Sequence, residues 1–528
     1  MIAISEAIQF SFYYFISFSL EMSTTASRVI KNTGWLYAKM AITMLISLYT
    51  TRLVLNALGA SDFGIYNIVG GTIGLLAFLN NAMATSTQRF MSYAEGEGNK
   101  EKQKYIFNIS FIIHTFIAIF AIFVFTIVGH FFFNKILNIP EERIVAAQIV
   151  YGSMVVSTAF SMMSVPYAAV MNAHENMKYY AFIGIFEAFL KLVVAYVVVY
   201  TFMDKLVVYG FLMTLIPIII LTIMRFYCHH YYEECVIAPK MYFQKTLMKE
   251  MTTFAGWGFL SSASSILTMQ GIAILLNMFG GVIVNAAHGV ANQMSGQLMV
   301  FSNNMIKALN PVLVKSQGAG DTNKMLAAAS TGNKLSFVIY TLFAIPFIIE
   351  CPFILEIWLK DVPGYAVLFI RLVLIRIMFS QMTVTLETCI SAVGKIKEFT
   401  IINSLIWISP LIVGYIMYSN GAPIYTIYLL LIALVLLRSL TIIYFCKKLC
   451  GLHFMNYVKE TLFPCIVVGI TTIVPLLTLN HFITESYLRL FIIVLSGFII
   501  HIIGSFFFGL NANEKNLVKN LNNSILKK

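Results

Sequence analysis

Eight basic residues stand inside or at the edges of long apolar segments, where a charge is costly and calls for a partner or a watery cavity. They are Lys39, Arg52, Arg89, Lys191, Lys307, Arg371, Arg376 and Arg438. Guanidinium groups bind dense anions such as pyrophosphate through two parallel hydrogen bonds. We therefore expect Arg52, Lys307 and Arg376 to line a cationic cavity, supported by Lys39 and Lys191.

Several of these charges have simpler explanations. Lys39, Arg89 and Arg438 lie near the ends of apolar segments, so their side chains could reach the membrane surface. Glu187 and Lys191 are four residues apart on one predicted helix and could form a local ion pair.

Neutral polar residues accompany the charges. They could hydrogen-bond sugar hydroxyls, or they could serve as contacts between helices, which is the commoner role for such residues in membranes. They are Asn80, Asn81, Gln88, Gln293, Gln297, Asn303 and Asn304.

Metal chemistry and catalysis find little support. Two short clusters contain metal-ligand residue types, Cys228 to Cys235 and Cys446 to His453, but neither has the usual zinc spacing. No carboxylate pair has a spacing suited to acid/base work, and no Walker-type phosphate loop occurs. We expect no metal, no cofactor and no enzymatic activity.

The composition places these residues in a membrane. The chain has 528 residues, of which 59% are hydrophobic and 11% charged, with a mean hydropathy of +0.83. Soluble proteins have about 25% charged residues. The net charge is +12, and the lysines and arginines lie singly or in small groups between the apolar runs. This pattern is typical of membrane loops and not of a nucleic-acid interface.

Apolar windows predict an all-α membrane protein with about fourteen spans, centred near residues 46, 77, 117, 157, 190, 216, 264, 295, 346, 378, 408, 434, 470 and 498. With a cytoplasmic N-terminus, 22 of the 35 Lys and Arg fall on the cytoplasmic side and 5 on the other. This bias predicts an even number of spans and both termini in the cytoplasm. Residues 1–21 lack a basic start, and Met22 is the better beginning.

One unusual stretch occurs twice. From Phe78 the chain has FLNNAMATSTQRFMSYAEGEGNKEKQ, and from Phe301 it has FSNNMIKALNPVLVKSQGAGDTNKML. Further matches align Asn80-Asn81 with Asn303-Asn304, Gly59 with Gly280, Met177-Lys178 with Ile396-Lys397, and Ala84 with Lys307, at offsets near 221, 223 and 219. The two halves begin after an even number of spans, which predicts parallel repeats.

The repeats divide the chain into regions. We expect a cytoplasmic N-terminal extension (1–30), a first lobe of six spans (31–228) and a cytoplasmic linker (229–250). A second six-span lobe (251–446), two added spans (447–510) and a cytoplasmic tail (511–528) follow. Two such lobes around a central cavity suit alternating access, although duplication without transport is the simpler alternative.

The motifs resemble a known family. RLVLNALGASDFGIYNIVGG at the end of the first span and GWGFLSSASSILTMQGIAILLNMFGG in the second half are similar to the polysaccharide transporter (Wzx-type flippase) branch. This branch belongs to the multidrug/oligosaccharidyl-lipid/polysaccharide exporter superfamily. The resemblance implies a flippase for undecaprenyl-pyrophosphate-linked oligosaccharides of O-antigen, capsule or exopolysaccharide. It also implies membrane lipids, a polysaccharide polymerase and assembly enzymes as partners.

Two other functions stay open. A drug or cation antiporter of the same fold would need an acid in the first lobe to bind Na⁺ or H⁺. The first span has Lys39 and Arg52 instead, and Glu187 in the fifth span is the deep candidate for this ion coupling. A scaffold for envelope-assembly enzymes has no sequence feature in its favour.

Overall fold

The computed structural model describes residues 24–74, 77–133, 139–359, 361–511 and 514–515, and in these ranges it contains helices and no β-strand. Residues 1–21 lie outside them. The first repeat comprises α1 (Thr24–Gly74), α2 (Ala77–Gly96), α3 (Lys100–Phe131), α4 (Ile144–Met163), α5 (Val165–Ala173), α6 (Met177–Tyr200) and α7 (Lys205–Tyr231). The second comprises α8 (Lys245–Gly318), α9 (Thr322–Ile349), α10 (Cys351–Leu359), α11 (Ala366–Gln381), α12 (Val384–Val393), α13 (Lys397–Ser419) and α14 (Thr426–Cys450). Then follow α15 (Phe454–Tyr457), α16 (Phe463–Phe482) and α17 (Tyr487–Gly504).

The described helices make this a polytopic membrane protein. Eleven are long and apolar enough to cross a bilayer, or twelve if the bent pair α11 and α12 is one span. That count takes α8 once, although its 74 residues would extend about 110 Å against a hydrocarbon core of about 30 Å. The figure of fourteen spans stays a prediction.

Glycine kinks divide the two longest helices. Gly59 in α1 has φ 77° and ψ 167°, and Gly281 in α8 has φ 75° and ψ −173°. This backbone region is essentially restricted to glycine. The two positions are 222 residues apart, so the second kink lies at Gly281 and not at Gly280, the residue that the sequence comparison had paired with Gly59.

Helix ends repeat with the same register. Left-handed Gly98 and Gly320 precede α3 and α9, and the next residues, Asn99 and Asp321, cap those helices by accepting from the backbone N–H three positions on. These pairs are also 222 residues apart. Later in the repeat the offset falls to 219, because Glu175 and Gly394 are both left-handed before α6 and α13. This confirms the predicted repeat and its drift.

The structural register corrects one match by a residue. An offset of 222 pairs Asn81 with Asn303 and Lys307 with Thr85, not Asn80 with Asn303 or Lys307 with Ala84. Burial supports the change, since Asn81 and Asn303 are both exposed whereas Ser86 and Ala308 are both buried. The identical Asn-Asn letters drew the sequence comparison one position out of line.

The chain forms two compact units, Asn32–Phe259, and Leu260–Lys528 together with the N-terminal stretch to Lys31. In the first unit α4 packs chiefly on α7, where a Cβ at Gly210 would lie 3.3 Å from the backbone Cα of Val150. Small residues of this kind let membrane helices approach closely. At the N-terminal ends of these helices, Arg143 binds both Asp62 and Asp204, with Nε–Oδ1 and Nη1–Oδ2 distances of 2.9 and 2.6 Å.

A histidine joins the segment after α7 to the rest of the first unit. His174 Nε2 lies 2.5 Å from Glu234, and its Nδ1 lies 3.3 Å from Glu95. Its ring also stacks on Tyr232 with a centroid distance of 4.4 Å. Burial alone would lower the pKa of His174, but the hydrogen bonds and charges of the two glutamates outweigh it and raise that pKa.

In the second unit α9 is the central helix, and both α16 and α17 pack against it. Glu350, whose side chain is fully buried, holds Arg489 at the start of α17 through an Nη2–Oε2 hydrogen bond of 3.0 Å. His501 of α17 lies 2.9 Å from the hydroxyl of Thr472 and 3.0 Å from the carbonyl of Val338. The two C-terminal spans are therefore fastened to α9 at several levels.

Candidate functional site

One face of α8 beyond its kink is polar and uncovered. Gln293, Gln297 and Asn303 are exposed, as are Gly296 among them and Gly289 one turn before Gln293. Positions three, four and seven apart lie on one side of a helix. Lys307, one turn beyond Asn303, ends this polar face. Because bare amides are costly in lipid, the face is expected to border water or a polar ligand.

The first repeat has a shorter counterpart on α2. Asn81 and Thr85 are exposed and Gln88 is half-buried. Asn80 points elsewhere, since its Oδ1 is buried without a hydrogen-bond partner among the described residues. Asn304 is half-buried. Thus Asn81, Gln88, Gln293, Gln297 and Asn303 keep open faces.

Lys307 neighbours an ion pair that the sequence did not predict. One turn after Lys307, the side-chain oxygen of Asn310 accepts a 3.0 Å hydrogen bond from Thr388 on α12. The residue before Thr388 is Glu387, whose Oε2 lies 2.5 Å from Nη2 of Arg438 on α14. The Asn310–Thr388 hydrogen bond thus ties α8 to α12 beside this ion pair, and we call Lys307, Glu387 and Arg438 together the inner charge cluster.

Arg438 is held from two more directions. Its Nε donates a 2.7 Å hydrogen bond to Asn403 on α13, and its guanidinium lies 5.5 Å from the ring centre of Trp407. The expectation that Arg438 merely extends to the membrane surface is therefore wrong. Glu387 was missed because one glutamate in an apolar run has no neighbour in sequence that announces its partner. The joint occurrence of an acid in the tenth span and an arginine in the twelfth was the available signal.

Arg376 lies at a different level of the second unit. It is within electrostatic reach of His288, Tyr340 and Tyr428, and its Nε is buried without a hydrogen-bond partner in the described ranges. His288 and Lys307 are nineteen residues apart on α8, or about 28 Å along the axis. Arg438 is also within electrostatic reach of Arg376.

The first unit contains its own charge group along α1 and α6. Glu187 Oε1 lies 2.7 Å from Lys191 Nζ, which confirms the predicted ion pair. Lys39 lies over the ring of Tyr180 at 4.6 Å and beside Gly184, one turn before Glu187. Arg52 is exposed nearer the kink of α1. One carboxylate thus stands among two lysines, as Glu387 stands near Lys307 and Arg438.

Two other intramembrane cations have structural roles. Arg371 donates through Nε to the carbonyl of Ile348 at 3.0 Å, at the end of α9. Arg89 lies over the rings of Phe90, Tyr93 and Phe254 at 4.6 to 5.5 Å. No group of three potential metal-ligand side chains is assembled among the described residues.

A family model described as polysaccharide biosynthesis protein matches residues 29–317. None of the curated proteins matches the chain. Solved structures do, although at 12% identity they show the fold alone. One is an outward-facing multidrug resistance MATE family transporter of the MOP superfamily, with a TM-score of 0.68 over 82% of this chain and 99% of its own.

Another is a MOP superfamily transporter from Pyrococcus furiosus described as having a binding pocket of reverse polarity, with a TM-score of 0.69 over 83% of this chain and 98% of its own. A MATE structure in the bent conformation, 13% identical, gives 0.68 over 83% and 97%. The fold is therefore that of the MATE-type transporters of the MOP superfamily. The family model matches more than half of the residues of this chain, and the chain therefore belongs to the polysaccharide biosynthesis protein family.

Proposed function

We propose that the protein is a flippase that moves a polyprenyl-pyrophosphate-linked oligosaccharide across the inner membrane by alternating access of its two repeats. The pyrophosphate binds the inner charge cluster, and the glycan lies along the polar face of α8. The polyprenyl tail stays in lipid. Both termini are cytoplasmic in this proposal, and the substrate enters from that side.

The polar face of α8 is the observation that supports this most. Gln293, Gln297 and Asn303 give successive amide groups over about 15 Å of helix, ending one turn before Lys307. Amides both donate and accept, as sugar hydroxyls require. A glycan attached to an anion needs this order of contacts, with a polar track that ends at a cation.

The sign of the charge argues against a cationic substrate. In the second unit Glu387 is one carboxylate beside Arg438 and Arg376, which lie within electrostatic reach of each other, so this group is positive. In the first unit Glu187 already has Lys191 at 2.7 Å as its counter-ion. A cation antiporter would need a carboxylate free to bind its ion. A MATE-type antiporter is therefore the alternative to test and not the proposal.

Reconstituted vesicles test the proposal directly. A fluorescent undecaprenyl-pyrophosphate oligosaccharide is placed in one leaflet, and its access to an external lectin is followed with time. We expect wild type to flip the lipid and Lys307→Gln to slow flipping at least tenfold, because a charge-assisted contact to the pyrophosphate is lost. Lys324→Gln, which removes an exposed lysine at the start of α9, is the matched control and should flip normally.

Other outcomes have defined meanings. Normal flipping by Lys307→Gln would remove Lys307 from the site while leaving the function. If wild type moves no lipid but exchanges H⁺ or Na⁺ for a cationic dye in a Glu187-dependent way, the antiporter replaces the flippase. Arg376→Gln and Arg52→Gln, assayed in parallel, show whether these two arginines contribute to flipping as well.

A further inference from the structure

The Glu387–Arg438 ion pair differs from the structural ion pair of the same unit. Glu350 and Arg489 have side chains 0% and 11% exposed, and both are sealed between helices. Glu387 and Arg438 are 31% and 18% exposed. The first pair is closed to ligands, whereas the second can be reached. A reachable ion pair within a membrane span needs an explanation other than helix packing.

The attachment of Arg438 separates two parts of its guanidinium. Nε donates to Asn403, while Nη2 binds Glu387. If Glu387 moved away, Asn403 and the ring of Trp407 would still hold the guanidinium in place. The Nη edge would then be free to bind another anion without a change in the position of the arginine.

The surroundings show which anion would arrive. The polar face of α8 leads to Lys307, and the Asn310–Thr388 hydrogen bond ties that helix to the residue next to Glu387. Arg438 and Arg376 lie within electrostatic reach of each other, and the carboxylate of Glu387 balances only one of these two charges. A ligand with two or more negative charges is therefore favoured over a monovalent one.

We propose that Glu387 is a built-in competitor for the transported anion. In the empty protein it occupies the Nη edge of Arg438, and a pyrophosphate group displaces it on binding. When the anion leaves, Glu387 returns and lowers the barrier to release. The inference rests on the proposed function for the identity of the anion, and not for the exchange itself.

Inorganic pyrophosphate binding to the full-length protein in detergent tests the exchange by calorimetry. We expect Glu387→Gln to bind pyrophosphate about tenfold more tightly, the effect of removing a competitor worth near 1.4 kcal/mol. Arg438→Gln should bind more weakly. Glu398→Gln is the matched control, since it breaks a 2.7 Å pair with Lys448 in the same unit and should leave affinity unchanged. Thermal unfolding confirms that each variant is folded.

The double variant Glu387→Gln/Arg438→Gln distinguishes exchange from simple repulsion. Under exchange, Glu387→Gln gives no tightening once Arg438 is gone. Tightening that persists in this background, or unchanged affinity of folded Glu387→Gln, would overturn the proposal. Tightening without lipid flipping would sustain the exchange and reject the flippase. If wild type flips the lipid but neither wild type nor Glu387→Gln binds pyrophosphate, the flippase stands and the exchange is rejected.

Discussion

His174 gives the first unit a contact whose strength depends on pH. Its pKa is raised above the ordinary 6.5 because Glu234 and Glu95 outweigh its burial. Burial alone would raise the pKa of Glu234, but the hydrogen bond to His174 and the positive charge of that ring outweigh burial and lower the pKa. The protonated ring therefore stabilises the folded protein fully below pH 6.5, and this stabilisation is lost as pH rises through the folded-state pKa.

We expect the thermal midpoint of wild type to fall as the pH rises above 6.5, because deprotonation of His174 weakens this contact and lowers the free energy of unfolding by an amount on the order of 1–2 kcal/mol. His174→Gln should remove that part of the pH dependence. His230→Gln, at an exposed histidine near the end of α7, is the control that should retain it. A midpoint that responds to pH equally in wild type and His174→Gln would contradict the assignment.

At the scale of the helix, the two glycine kinks are the most demanding positions. A Cβ built on Gly59 or Gly281 meets nothing within 4 Å, so the penalty of a side chain there is purely conformational. We expect Gly59→Ala and Gly281→Ala each to destabilise the protein by about 1–3 kcal/mol.

Gly64→Ala and Gly289→Ala are suitable controls, because they too meet nothing within 4 Å but have ordinary helical backbone. They should be neutral or slightly stabilising. Chemical unfolding in detergent, compared across the four variants, measures the difference. Equal stability of the kink variants and their controls would show that the chain tolerates the backbone with any residue.

The sequence showed which elements exist but not how their side chains pair. Apolar runs reveal membrane helices because every lipid-facing residue must be apolar, and the repeat emerged from Gly-rich helix ends that need particular backbone angles. The register near Asn81 was wrong by one, since letters alone cannot show which face is buried. Glu387 with Arg438, and Glu350 with Arg489, join segments far apart in sequence, so only the packed helices reveal them.

At the scale of the whole molecule, α16 and α17 are part of the second unit's core and not a loose addition. Arg489→Gln leaves the buried carboxylate of Glu350 without its cation. We expect a loss of about 3–5 kcal/mol, the usual effect of breaking a sealed ion pair. Lys448→Gln, which removes an exposed partner of Glu398, should change the stability far less, because solvent screens an exposed ion pair.

Unfolding of purified protein in denaturant, followed by tryptophan fluorescence, gives both numbers. Glu350→Gln/Arg489→Gln should recover much of the loss, because neither buried charge then remains. A small effect of Arg489→Gln would mean that the two final spans can detach from α9 while the rest stays folded.

The pairing of Arg438 with Glu387 also affects whether small anions can cross the membrane through the protein. A membrane that holds a voltage loses it through any site that lets chloride slip across. Chloride has one charge and cannot match the directional, two-oxygen grip of a carboxylate on a guanidinium. Because Glu387 already binds Arg438, chloride competes poorly for this arginine, whereas a multiply charged phosphate group can displace the carboxylate. The Glu387–Arg438 ion pair is therefore expected to limit the leakage of chloride through the protein.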